Sequence, residues 1–233
     1  MKKIIFISLI CVGLMCCTQT ETQEKRIENT KKENADPTVK TDAKGGFKVL
    51  SFDKNVIPKE ITLKGTIAEG AKWNDANGEN MLILTTVAEF SSKKKKGEEL
   101  EERDAELYAY HFVKKGDTYA ELWKIQDYVR ECPIDITCEF VPNTLTITDM
   151  DGNNIGESTL IYRTACRADV SPSTQKLIMH EGKTKLALRG TTAIDLGGDK
   201  QKATCQKDDS WKQASPLLLT YAEAQWKKFE KEF

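Results

Sequence analysis

Apolar and polar residues alternate over short stretches through most of this chain, and turn-forming residues punctuate them. Residues 47–52, Phe-Lys-Val-Leu-Ser-Phe, form one such stretch. Residues 63–72 and 81–90 flank Trp73-Asn74-Asp75-Ala76-Asn77-Gly78, whose Asn-Gly pair signals a hairpin. Residues 106–114 and 119–129 flank a second turn at 115–118, and 175–180 and 185–189 flank a third at 181–183. Residues 144–148 can pair with 158–164 across an acidic turn. The C-terminus changes period. Ser215-Pro216 reads as an N-cap followed by proline at the first helical position, and Leu218, Ala222, Trp226 and Phe229 recur at helical spacing. Strand–turn–strand units without intervening helices predict a mainly β fold. It is an antiparallel sheet or sandwich built of hairpins, with one C-terminal α-helix packed on it.

Two segments depart from this pattern. Residues 4–15 are almost wholly apolar behind Lys2 and Lys3, which is the layout of a signal peptide and too short to span a bilayer. Residues 18–45 hold no aromatic residue and no leucine, so they cannot bury enough surface to offset ordering entropy. That stretch reads as a tether with a reach of about 30 Å. The expected organisation is therefore a signal peptide, a tether running to residue 45, and a single β-rich globular domain at 46–233. The run Lys93-Lys94-Lys95-Lys96 followed by Glu98, Glu99, Glu101 and Glu102 reads as a solvated hairpin loop.

Composition narrows the function classes. A formal charge of −1 and a pI near 6.2 exclude a strongly basic nucleic-acid footprint, and a mean hydropathy of −0.51 excludes a polytopic membrane protein. The chain has only two histidines. His111 lies inside a strand candidate, and His180 beside a hairpin turn is expected to be solvated. No Gly-x-Ser-x-Gly elbow, His-Glu-x-x-His pair or phosphate-binding glycine loop occurs. Beyond the signal peptide and Cys17, four cysteines remain: Cys132, Cys138, Cys166 and Cys205. They allow three disulfide pairings, and the short intervening loop favours Cys132–Cys138 with Cys166–Cys205. Neither Cys-x-x-Cys spacing nor a neighbouring histidine points to zinc or redox chemistry.

The segment ending Leu14-Met15-Cys16-Cys17 resembles the bacterial lipoprotein signal, with Leu14 at −3, a small side chain at −1 and Cys17 at +1. That resemblance implies cleavage before Cys17 and acyl chains on it, which sets the signal peptide at 1–16 and the lipidated cysteine with its disordered tether at 17–45. Thr18, in place of an aspartate, points to the outer membrane, on either face. Acyl chains would make the bilayer a partner, since each buried CH₂ contributes about 0.8 kcal/mol.

Residues 149–157, Asp-Met-Asp-Gly-Asn-Asn-Ile-Gly-Glu, place oxygen-bearing side chains at positions 1, 3, 5 and 9. Alternate residues of a tight loop converge on one centre, which suits a cation that takes six to eight oxygens. The loop resembles the calcium loops of integrin-type FG-GAP and dockerin-type repeats. The resemblance would make Asp149, Asp151, Asn153 and Glu157 side-chain ligands and Ile155 a carbonyl ligand of Ca²⁺. Asn154 stands where those loops carry glycine, and Leu160 stands where they carry a bidentate glutamate. Together with Cys166-Arg167-Ala168-Asp169-Val170-Ser171-Pro172 and Leu186-Ala187-Leu188-Arg189-Gly190-Thr191-Thr192, the loop also resembles, over roughly residues 144–192, a family of uncharacterised bacterial lipoproteins and exported proteins, some labelled surface polysaccharide biosynthesis. Arg163, Arg167 and Arg189 can form a carboxylate-binding cluster or pair with the sheet's own acids.

These readings converge on a lipid-anchored cell-envelope protein that binds a glycan or an envelope protein rather than transforming it. Two alternatives stand beside it: an envelope glycan enzyme working through carboxylates, and a structural subunit of an envelope complex. Exposed aromatics such as Trp73 or Trp211 near the acidic loop would favour glycan binding.

Overall fold

The computed structural model describes residues 46–93, 101–198 and 200–232. The signal segment, Cys17, the 18–45 stretch and most of the charge run lie outside the described residues. Strands β1 (Lys48–Leu50), β2 (Thr66–Asp75), β3 (Gly78–Ser91), β4 (Arg103–Lys115) and β5 (Thr118–Cys132) form an antiparallel meander in that order. A second antiparallel sheet holds β6 (Ile136–Phe140), β7 (Thr146–Thr148), β8 (Glu157–Cys166), β9 (Thr174–Glu181) and β10 (Thr184–Thr191). After the short pair β11 (Ile194–Asp195) and β12 (Lys200–Gln201), β13 (Thr204–Lys207) joins it. The spatial order is β13-β10-β9-β8-β6. Strand β7 pairs with the first residues of β8 and β6 with the last. A 3₁₀ turn at Asp209–Gln213 leads to α1 (Pro216–Phe229), whose start Ser215 caps by accepting from the Leu217 amide at 3.3 Å. The fold is mainly β with a single C-terminal α-helix.

Period-2 alternation builds this stack of layers. Leu82, Leu84, Leu107, Ala109 and Ile125 of the first sheet meet Leu160, Tyr162, Ile178 and Ala187 of the second. The opposite faces are covered too. Met81, Ile83, Tyr108, Tyr110 and Phe112 pack under Phe52, Ile57, Ile61 and Leu63. Ile161, Leu177, Met179, Leu186 and Leu188 pack under Trp211 and the Leu218, Ala222 and Trp226 face of α1. Burial on both faces explains why Met81-Leu82-Ile83-Leu84 reads as an unbroken apolar run rather than an alternation.

The two-residue hairpin turns are Ala76-Asn77, Gly116-Asp117 and Gly182-Lys183. The first lies one residue upstream of the expected Asn-Gly centre. Asp75 explains the offset: its carboxylate accepts from Trp73 Nε1 at 2.9 Å and from the Asn77 amide at 2.7 Å, which extends β2 to residue 75.

Two expectations are corrected, the disulfide pairing and the solvation of His180. The disulfide joins Cys132 to Cys166, with Cα atoms 5.8 Å apart, and Cys138 and Cys205 are free thiols. Cys166 stands opposite Ile136 in the β6–β8 ladder, at the rim where β5 ends, whereas Cys138 sits two residues deeper opposite Thr164 and packs on the inter-sheet core. His180 is buried rather than solvated, because it occupies the inner face of β9 and stacks on Trp123 with ring centroids 3.8 Å apart. Trp73 and Trp211 are buried as well, so neither offers a stacking platform beside the acidic loop.

Candidate metal centre

The acidic loop joins β7 to β8, and its own side chains shape it. Asp151 Oδ1 accepts from the Asn153 amide at 3.2 Å, Asn153 Oδ1 from the Ile155 amide at 2.7 Å, and Asp149 Oδ2 from the Asn154 amide at 3.2 Å. Gly152 and Asn154 take left-handed φ values of 72° and 62°. Asn tolerates that geometry, which is how it serves in the position where comparable loops use glycine. The resulting curl turns residues 149 and 151 towards Glu157 at the start of β8. One oxygen each from Asp149, Asp151 and Glu157 lies within 4.8 Å of the others. Oxygens bound to a common Ca²⁺ at about 2.3–2.6 Å are separated by at most about 5 Å, so this spacing fits.

The electrostatics point the same way. Glu157 has no solvent-exposed surface and accepts from Thr148 Oγ1 at 2.8 Å and from the Met150 amide at 3.0 Å. Burial pushes its carboxyl up to about 7, with the Asp151 and Asp149 charges adding to the rise and those two hydrogen bonds opposing it. Asp149 Oδ1 is buried and has no hydrogen-bond partner. A carboxylate oxygen withdrawn from water without a donor costs about 1–3 kcal/mol or more, and a divalent cation is a ligand that offsets the cost.

The loop is tied to both sheets. Asp75, from the β2–β3 turn, accepts from the Gly156 amide at 3.0 Å, and the Ala76 amide donates to the Asn154 carbonyl at 2.7 Å. Asn153 Nδ2 donates to Asp151 Oδ2 at 3.3 Å and to Glu181 on β9. Three hairpins therefore meet at this loop.

Of the five ligands expected from the sequence, Asp149, Asp151 and Glu157 come together. Asn153 presents its amide, not its oxygen, to Asp151, and Ile155 engages through its backbone N–H. Glu181 was invisible to local spacing. It stands directly opposite Glu157 in the β8–β9 register, a relation that only the pairing reveals.

The other candidate groups are occupied separately. Arg163 donates to Gln175 Oε1 at 2.9 Å and to the Phe229 and Lys231 carbonyls at 2.7 and 3.0 Å, pinning the end of α1. Arg167 pairs with Glu232, and Arg189 holds Asp208 at 3.0 Å. The arginines thus form no common cluster and answer to the chain's own polar groups. His111 contacts Trp73 and Trp123 and shares a hydrogen bond with Asn80 Oδ1 at 3.0 Å, inside the core, where Asp75 is the acidic group that acts on it. Comparison with protein-family models, curated proteins and solved structures finds no match to this chain, so the chemistry of the loop stands on its own geometry.

Proposed function

We propose that this chain is a lipid-anchored envelope binding module whose head is stapled by Ca²⁺ at the 149–157 loop. The observation that carries the reading is the gathering of Asp149, Asp151 and Glu157 around the unpartnered, buried Asp149 Oδ1, at the point where three hairpins meet. A divalent ion there would offset two of the three carboxylate charges and tie the loop that is hydrogen-bonded to both sheets. Asp149, Asp151 and Glu157 would hold it, and its role is structural. The anchor belongs to the same reading: Cys17 would carry acyl chains and hold the head at the outer membrane.

A binding role is favoured over the carboxylate-enzyme alternative by the clefts. One, of 440 Å³, lies between the β3 bulge and β6 and contains Glu89 and Glu139, but Glu89 is ion-paired with Arg103. A second, of 460 Å³, contains Asp53 and Glu79; Glu79 is bound by Lys72 and Tyr119, and Asp53 by Asn55. Neither cleft offers two unengaged carboxylates facing one another.

Thermal melts of the full chain in CaCl₂ and in EDTA test the staple. At a hundredfold excess over Kd, calcium should add about 2.7 kcal/mol of stability, and magnesium less, because it holds its waters in a tighter octahedron. Asp149→Ala should abolish the calcium response while Glu98→Ala keeps it. Superimposable melts in calcium and chelator would refute the reading.

A further inference from the structure

Strands β9 and β10 carry a second set of charges on the face opposite to Glu181. Their register places Lys185 beside His180, Ala187 beside Ile178 and Arg189 beside Lys176. Ile178 and Ala187 belong to the core between the sheets, so all six side chains share the inner face. The first sheet, however, packs over β6, β7 and β8. Strand β10 lies two places beyond β8 in the sheet order, and on its inner face Ala187 is buried in that core while Lys185 and Arg189 on either side of it are not. Lys185 is exposed there, and Arg189 is 39% exposed.

The charges on this flank do not balance. Lys176 pairs with Asp127 of β5, which also accepts from Tyr162 of β8 at 2.9 Å. Arg189 holds Asp208, just past β13, through Nε and Nη2. The Lys185 ammonium makes no hydrogen bond or ion pair among the described residues, although its backbone lies in the β9–β10 ladder. His180 beside it is neutral, and Gln206 of β13 stands opposite Arg189. Three cations thus face two carboxylates, Asp127 and Asp208. The Lys185 ammonium is held below its ordinary value by partial burial first and then by Arg189, with Lys176 adding to the crowding. A bound anion would relieve that crowding.

We propose that this flank binds an oxyanion, a carboxylate or phosphate group borne by the ligand, between Lys176, Lys185 and Arg189. Lys185 supplies the unpaired charge, and Arg189 presents the guanidinium edge not taken by Asp208. The neighbouring Trp123–His180 stack forms a neutral wall. The site is independent of the calcium loop: it uses none of that loop's residues, and either can fail without the other.

Amine labelling of the full chain with an acylating reagent, read peptide by peptide by mass spectrometry, tests this with inorganic phosphate and glucuronate as probes at constant ionic strength. A probe at about ten times its Kd should slow labelling of Lys185 about tenfold, following 1 + [L]/Kd, and leave exposed Lys59 unchanged. Protection by phosphate alone assigns a phosphoryl group, and protection by glucuronate alone assigns a carboxylate. Lys176→Gln should lose the protection, whereas Asp208→Asn, which removes a competing carboxylate, should reach it at lower probe concentration. Opposite responses of these two variants cannot come from misfolding. If neither probe protects Lys185, or both variants shift protection in the same direction, the site is overturned.

Discussion

The histidine stack makes the head sensitive to acid in a way that can be worked out. His111 and His180 flank Trp123 inside the core, 2% and 5% exposed, with ring centroids 5.1 and 3.8 Å from it. Burial brings His111 down to about 4, against the pull of Asp75, and brings His180 down to about 3, with Lys185 and His111 adding to the fall. The unfolded chain takes up these protons near 6.5, so below that pH it binds more protons than the folded chain and stability falls as pH falls. At pH 5 each histidine costs about 2 kcal/mol relative to neutral pH, about 4 kcal/mol together. Glu157 acts in the opposite sense. Its raised value of about 7 means the folded state gains a proton first, which returns about 2 kcal/mol between pH 7 and pH 5. Glu106, where Lys64, Tyr108 and Arg130 overcome burial and bring the carboxyl to about 2, matters only at lower pH. Urea unfolding in EDTA, followed by tryptophan fluorescence between pH 7 and 5, should therefore show a net loss of about 2 kcal/mol. Glu157→Gln should steepen the loss to about 4 kcal/mol, and His111→Gln with His180→Gln should turn it into a gain of about 2 kcal/mol from Glu157 alone. A stability that stays flat with pH in the Glu157→Gln variant would refute the account.

Peptide mapping without reduction should recover Cys132 linked to Cys166, with Cys138 and Cys205 open to alkylation; Cys132→Ser should cost about 3–4 kcal/mol from the 34-residue separation that the bond closes. Gly190→Ala should strip β13 from the sheet, since its Cβ would lie 1.9 Å from the Thr204 carbonyl oxygen, and faster amide exchange at residues 204–207 would report it. Arg163→Met should free the end of α1 from the Phe229 and Lys231 carbonyls, lowering stability by about 3 kcal/mol in a thermal melt. Mass spectrometry of the mature N-terminus should find Cys17 acylated; an unmodified terminus at another residue would sink the anchor.

Most of the fold was legible because its determinants are local. A period of two, a two-residue turn with glycine or asparagine, and a Ser-Pro helix start each act within a few residues, and β2–β3, β4–β5, β9–β10 and α1 fall near the positions these features mark. The acidic loop was legible for the same reason: its bends come from Asp and Asn side chains bonding to amides two to five residues on. The disulfide was not. Which cysteine meets Cys132 depends on β6 returning beside β8 in one register, and loop length alone carries no information about that.

The fate of the charged and aromatic residues shows where local reading ends. His180 and Glu181 are adjacent in sequence, yet β-strand alternation sends the first into the core beside Trp123 and the second to the Asn153 side of the acidic loop. Trp123 Nε1 also donates to the Gly182 carbonyl at 3.1 Å, so the edge of the first sheet grips the same turn that the acidic loop reaches through Glu181. The β9–β10 turn is therefore held from both sides, by Trp123 of the buried stack and by the Asn153 amide of the acidic loop. Neither restraint can be inferred from the turn's own residues. Both follow once the register of β8, β9 and β10 is known, and the charges of Lys176, Lys185 and Arg189 then fall on one flank as a consequence of the same register.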